Sequence, residues 1–474
     1  MSLQNEKLRI GILFVTSNWF RQIGLQGSES SLTAEIVHVG QDIVDRLSEF
    51  SEPIYTGILY SEDSAEEAAK VIKEADVQAL VVSPLMWCED QVLRAALNEL
   101  QNLPILLLTL LPWKKMPDYL PYNQMLEGSG AVGSLQFSGM LKRENWIYQS
   151  ISGYYRDILL YHRIRLHIRS LLVKEKLKSL TVGVLPFPCD QMSTTFVDDF
   201  ALRHHLGVQI KYLELSRFRE EAETITDKEI SEFKQSLIQR GYEILVEKKE
   251  LKEGICYSLA MSKIVREEGI KVLAINDVSN EMHKQFGLRP SLDDPTLSSS
   301  DFVISMEADI AAGLGLYILK FYTGQPPLYS EVLGVDSEAN QLLLGHAGYH
   351  DSSLADPSQP LRIVNDIEYK NSDRFRGAVS CFKVKPGPVT LINSVFIKGN
   401  LKWMALRGVS LPGPYKLEDT VHLLFQSEIS VLHFLDKSIK EGASQHWLVV
   451  QGDWLDELEI LAEWLNIPYL KLYE

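Results

Sequence analysis

Four residues carry the most chemistry per residue in this chain: Glu307, Glu331, His346 and His446. Glu331 and His346 lie in one stretch, Pro327 to Asp351, read as a hairpin. Asp336 to Asn340 (D-S-E-A-N) has turn composition, and Gln341 to Leu344 reads as a buried strand. A carboxylate and an imidazole thereby reach the same end of two neighbouring strands. The small residues Gly345, Ala347 and Gly348 flank the histidine, so a ligand could approach its ring closely. Upstream, Met306-Glu307-Ala308-Asp309 opens an apolar helix, and downstream Ser444-Gln445-His446-Trp447 enters an apolar strand. Two carboxylates and two imidazoles on four separate elements suit a divalent metal that keeps positions open for substrate. The blander alternatives stand beside this one. A histidine after an apolar strand is commonly structural, and Glu307 alone could be a helix N-terminal charge favoured by the macrodipole.

The elements that would position these groups follow from the pattern along the chain. With 474 residues there is length for two or three domains. Hydrophobic content of 45% and charged content of 23% are those of an ordinary globular protein. A net charge of −16 argues against a nucleic-acid or anionic-membrane surface. The cysteines at 88, 189, 256 and 381 are widely spaced without a C-x-x-C, which points to reduced thiols in the cytoplasm. No signal peptide precedes the first strand, and the apolar run Leu103 to Trp113 is too short to span a membrane.

Leu8 to Val15 reads as a buried parallel strand, Leu32 to Leu47 as a helix, and strands and helices then alternate to Leu110. That alternation predicts a doubly wound α/β domain whose ligands bind at the carboxyl ends of strands, where the loops Thr16 to Trp19 and Ser83 to Asp90 place Asn18 and Trp87. Gly128 to Gly133 lacks the ending of a phosphate loop and reads as a flexible loop. A long helix is expected from Trp146 to Lys176, then a second α/β series from Leu180, with Asp190 and Met192 in the loop after its first strand and Asn276-Asp277 at a later strand end. That series closes with a helix from Glu307 to Tyr322, which Thr323-Gly-Gln-Pro-Pro327 breaks. Beyond it the texture turns to glycines, prolines and short alternating strands. The expected division is an α/β domain over 1–176, a central α/β domain over 177–326, and a β-rich, barrel-like domain over 327–474.

This layout resembles the L-fucose and L-arabinose isomerase family of ketol isomerases over nearly the whole chain. M-E-A-D places Glu307 at the family's first glutamate, S-E-V places Glu331 at its second acidic position, L-L-L-G-H-A-G places His346 at its first histidine, and S-Q-H-W-L-V-V-Q-G-D places His446 at its second. Gln445 stands where arabinose isomerases have the first of two adjacent histidines. Phe187 to Met192 resembles a substrate-lining loop, and Gly133 to Phe137 a glycine-containing loop over the sugar, without the charged residues of arabinose isomerases. The metal set matches, while the sugar is left open.

The resemblance implies an aldose–ketose isomerase acting through a cis-enediol on a pentose, hexose or deoxy-sugar. Glu307 and Glu331 would be both metal ligands and proton-transfer groups, with His346 and His446 completing the site. Carboxylate, imidazole and water ligands suit Mn²⁺, with Co²⁺ as a substitute. Asp309, His350 and Asp351 are candidates to orient the ligating histidines. Sugar contacts are expected from Asp190, Met192 and Gln445. A homotrimer or homohexamer, with the site near a subunit interface, would bring Asn18 and Trp87 from a neighbour. The rival reading is a non-catalytic sugar-binding protein or sensor on the same scaffold.

Overall fold

The computed structural model describes residues 6–25, 32–298, 300–369 and 376–473. Contacts divide the chain into two compact units, Asn5–Glu175 and Lys176–Glu474. The architecture is mixed α/β, with parallel sheets and a β-rich C-terminal region.

In the first unit five strands form one parallel sheet in the spatial order Ser51–Ile54, Leu8–Val15, Ala79–Pro84, Ile105–Leu111, Tyr148–Tyr154. The central strands are apolar on both faces because helices cover both. The order reverses between Leu8–Val15 and Ala79–Pro84, so the loops after these strands meet at a switch point. Ser17 N–H donates to the Trp87 carbonyl at 3.0 Å.

Two expectations fail here. The long helix from Trp146 is a strand at Tyr148–Tyr154, paired with Ile105–Leu111, and then a helix at Ile158–Leu177. Asp157 marks the break, its carboxylate accepting the Leu159 N–H at 3.0 Å. The glycine-rich stretch is no loop beyond Ser129, since Gly130 begins a helix running to Arg143. Its glycines serve close packing: a Cβ on Gly130 would stand 2.7 Å from the Pro84 carbonyl oxygen, and one on Gly133 2.7 Å from the Pro84 Cβ.

The second unit contains both the central sheet and the barrel-like one. Four parallel strands run in the order Val303–Ser305, Val272–Ile275, Thr181–Leu185, Gln209–Tyr212. The larger sheet runs Gly387–Ile397, His446–Gln451, Leu328–Asp336, Gln341–His346, Val421–Ser427, Asn400–Ser410, Tyr469–Lys471, and pairing of Gly387–Ile397 with Asn400–Ser410 closes it on itself. Leu328, Leu344, Leu391, Met404, Phe425 and Trp447 belong to its core. The helix Ile310–Thr323 is buried on nearly every side. Gly313 fits it against Ser305 and Val272 of the parallel sheet, and Gly315 against Leu448 and Ser394 of the barrel. No helix among the described residues is long and apolar enough to cross a membrane, and all four cysteines are free and buried.

Candidate metal centre

The expected hairpin forms, Leu328–Asp336 pairing antiparallel with Gln341–His346 around the Asp336 to Asn340 turn. Leu328–Asp336 also pairs on its other edge with His446–Gln451. Glu331 is thus the register partner of Gly345 on one side and of His446 on the other. Directly opposed residues of an antiparallel pair share a face, so Glu331 and His446 project together. His346 ends its strand one residue beyond Gly345.

Glu307 arrives differently. The helix begins at Ile310, capped by Asp309, so Glu307 is not a first-turn helix charge. It sits in a left-handed turn, with φ +58° at Glu307 and +52° at Ala308, a region uncommon for residues with a side chain. Strand ends hold the turn: Glu307 N–H donates to Asp277 Oδ1 and Ala308 N–H to the Ile275 carbonyl, both at 2.8 Å. The Tyr329 hydroxyl donates to the Met306 carbonyl at 3.1 Å.

Together these elements bring ligand atoms of Glu307, Glu331, His346 and His446 within 4.8 Å of one another. A hexacoordinate ion with bonds of about 2.1–2.4 Å sets opposite ligands roughly 4.2–4.8 Å apart, so the donors fit one cation. The donor set of two carboxylates and two imidazoles is of the type that holds Mn²⁺, Co²⁺ or a similar ion.

The imidazoles are oriented for that role. His346 Nδ1 lies 2.5 Å from the Ala347 carbonyl, which can only accept, so the proton sits on Nδ1 and Nε2 faces Glu307 Oε1 at 3.6 Å. His446 is fully buried, with Nδ1 2.7 Å from Asp309 Oδ2 and Nε2 3.0 Å from Glu307 Oε2. Burial opposes charge on His446, but its hydrogen bonds to Asp309 and Glu307 outweigh burial and push its pKa up to about 10. Burial likewise favours a neutral Glu307, yet the His346 and His446 imidazoles that face it hold that carboxyl well below the usual range. At Glu331 burial prevails: its carboxyl is raised, His346 opposing the rise and Glu307 adding to it. In the ion-free protein the His446 imidazolium thus offsets part of the charge of Glu307 and Asp309.

Gln445, where a second histidine stands in arabinose isomerases, links the centre to the loop after Thr181–Leu185. Its amide nitrogen is 3.4 Å from Glu307 Oε2 and 3.2 Å from Met192 Sδ, and its oxygen accepts from Thr194 Oγ1 at 2.9 Å. Met192 and Gln445 are therefore at the site, while Asp190, in the same loop, is exposed. Asn18 and Trp87 belong to the first unit. Asn18 is exposed, and the Trp87 indole donates to Gln136 Oε1 at 2.8 Å.

Of the three residues expected to orient the histidines, Asp309 contacts an imidazole. His350 Nε2 instead binds the His346 carbonyl at 2.8 Å, and burial lowers its pKa to about 3. Asp351 caps the short turn Ser352–Leu354. The glycines beside His346 serve close packing: a Cβ on Gly345 would meet the Val421 carbonyl at 2.6 Å and one on Gly348 would meet Met306 at 2.7 Å. Tyr329 and Thr194 also border the centre. The Tyr329 ring lies 4.6 Å from that of His446 and 4.9 Å from that of His346, and only its place two residues before Glu331 on an alternating strand hints at this.

No family model matches the chain. A protein named sulfoquinovose isomerase from Clostridium sp. (strain MSTE9) is 23% identical over 317 residues, covering 66% of this chain and 69% of that one. Proteins of the same name from Priestia aryabhattai and Priestia megaterium (strain ATCC 12872 / QMB1551) are each 21% identical over 346 residues, covering 71% of this chain and 74% of theirs. These similarities support kinship with sugar isomerases at that level. Among solved structures, an ABC transporter solute-binding protein from Agrobacterium vitis, bound with α-D-tagatopyranose, covers 68% of this chain and 90% of its own. At 10% identity and a TM-score of 0.16 it carries no argument for a sugar sensor.

Proposed function

We propose that this protein is a metal-dependent aldose–ketose isomerase, with Glu307, Glu331, His346 and His446 holding a divalent cation, Mn²⁺ or Co²⁺ by donor type. The observation that carries the reading is the convergence of these four side chains from separate elements. The relatives' name makes sulfoquinovose, a hexose sulfonated at C6, the first sugar to test.

A bound cation supplies Lewis-acid polarisation of the sugar's carbonyl and hydroxyl oxygens. The chain divides the remaining work between its two glutamates. Glu307 is held through its backbone by Asp277 and through its carboxylate by two imidazoles and Gln445, which suits a fixed ligand. Glu331 has one looser contact, 3.7 Å to His446, and keeps 30% of its side chain exposed. Glu331 is the proton carrier: it takes the proton from C2 of the aldose and returns it to C1 of the cis-enediol, while the hydroxyl proton passes from O2 to O1. Burial raises the pKa of Glu331; a cation held beside it would oppose that rise and favour the ionised carboxylate that starts the cycle. Gln445 and Met192 face the sugar from the side of Glu307. The protein works in the cytoplasm as a homotrimer or homohexamer, Asn18 and Trp87 of a neighbouring subunit completing the sugar contacts.

Chelator-stripped protein, with and without added Mn²⁺, is to be incubated with sulfoquinovose and a panel of pentoses, hexoses and deoxy-sugars, and the products read by NMR. Ketose formed only with metal is expected. Tight sugar binding without turnover, or turnover unaffected by excess chelator, overturns the proposal.

A further inference from the structure

Arg289 lies in F-G-L-R-P, a segment with no motif, yet it is among the most deeply buried large residues, 2% exposed. Its guanidinium meets three carboxylates. Nη1 bonds Asp277 Oδ2, Nη2 bonds Glu368, and Nε stands 2.7 Å from Asp366 Oδ2 as an ion pair without hydrogen-bond alignment. The Tyr369 ring lies 5.2 Å from the guanidinium carbon, and its hydroxyl donates to the Asp277 carbonyl at 2.5 Å. Burying such a charge is unfavourable unless it is paired, and a lysine ammonium cannot reproduce the planar fork.

What this cluster holds is Asp277. The second oxygen of that carboxylate accepts the Glu307 N–H at 2.8 Å. Glu307 and Ala308 are in the left-handed region, a conformation that persists only where its surroundings over-determine it. The chain of contacts runs from Arg289 through Asp277 to the backbone of the residue whose carboxylate faces both imidazoles of the set.

We infer that Arg289 is a positioning residue for the metal centre, fixing the Glu307 turn through Asp277. Its guanidinium meets Asp277, Asp366, Glu368 and Tyr369, none of them a proposed metal ligand, and the inference rests on the metal reading above.

The test is Mn²⁺ titration calorimetry on the intact, chelator-stripped chain, with kcat and KM on whichever aldose turns over. Asp277→Ala removes the acceptor for Glu307, Asp277→Asn keeps an oxygen but loses the charge, and Arg289→Lys keeps the charge but loses the fork. Leu237→Ala, in the separate core of Phe233 and Ile255, matches their loss of melting temperature. Folded Asp277→Ala and Arg289→Lys are expected to bind Mn²⁺ at least tenfold more weakly and to lose kcat more than KM. Asp277→Asn falls between, and Leu237→Ala binds as the unaltered protein does. Mn²⁺ affinity within threefold of the unaltered protein in a folded Asp277→Ala or a folded Arg289→Lys overturns the inference, as does an equal loss in Leu237→Ala. Where Arg289→Lys does not fold, the two Asp277 variants decide. Absence of Mn²⁺ binding by the unaltered protein overturns the metal reading and this inference with it.

Discussion

Asp309 and His446 form a fully buried pair, Oδ2 2.7 Å from Nδ1, while the other oxygen of the same carboxylate accepts the Ala312 N–H at 2.8 Å. One side chain thereby caps the helix Ile310–Thr323 and sets the ring that faces Glu307. The two duties separate by mutation. Asp309→Asn keeps an oxygen for the cap but no longer places an anion against the ring. Loss of such a partner costs about 10–100-fold in metal affinity, and that loss is expected in Mn²⁺ calorimetry with little change in melting temperature. Asp309→Ala adds loss of the cap, about 1 kcal/mol, read by urea denaturation. Unchanged Mn²⁺ affinity in Asp309→Asn would refute the orienting role.

His446 also fixes the response to pH. Its folded pKa of about 10 stands above the ordinary value of 6.5. The stability it contributes is therefore fully present below pH 6.5 and lost as pH rises through 10. The ion-free protein is expected to melt at falling temperature from pH 7 to pH 10, and His446→Gln to show a flatter profile. A cation must displace the Nε2 proton, so Mn²⁺ affinity rises by about tenfold per pH unit between 6.5 and 8, with about one proton released. Calorimetry in buffers of different ionisation enthalpy counts that proton. A release near zero would mean His446 is already neutral.

Glu331 and His346 were legible because the hairpin that joins them leaves a local mark, whereas Glu307 and His446 were placed by the family resemblance. The D-S-E-A-N turn fixed the hairpin, and with it the register of Glu331. The Glu307 turn left no such mark. M-E-A-D before an apolar run is the signature of a helix start, and only the later strand-end contacts to Ile275 and Asp277 show that the cap is Asp309. Tyr148–Tyr154 was hidden for another reason. At the edge of its sheet, with serines and a glycine, it lacks the apolar run of its neighbours. Arg289 has its partners 12, 77 and 79 residues away in the chain, counted from Asp277, Asp366 and Glu368, and no local pattern encodes them.

The helix Gly130–Arg143 offers a test of opposite signs. A side chain at Gly130 meets the backbone oxygens of Pro84 and Leu85 at 2.7 and 3.1 Å, whereas at Gly139 it meets nothing within 4 Å. Gly130→Val is expected to destabilise by about 1–3 kcal/mol through overpacking. Gly139→Ala is expected to stabilise by up to about 1 kcal/mol through helix propensity. Urea midpoints measure both, and a neutral Gly130→Val would show that the helix does not press on the loop after Ala79–Pro84.

The division of labour between the glutamates gives the sharpest kinetic contrast. Glu307 shares its carboxylate with both imidazoles, at 3.0 Å to His446 and 3.6 Å to His346, so Glu307→Gln strips the cluster of its central anion. Mn²⁺ binding is expected to fall at least tenfold, and activity with it. Glu331→Gln keeps three ligands and an amide oxygen in place of the fourth. Mn²⁺ binding is expected to weaken less, while kcat falls by the ~10²–10⁴-fold typical of a lost acid–base group. Exchange of the C2 proton with deuterated solvent, followed by NMR on the recovered aldose, isolates the step. It should vanish in metal-loaded Glu331→Gln, since no other carboxylate of the set is free to take the proton. Persistent exchange in that variant, with Mn²⁺ bound, would transfer the base role to Glu307.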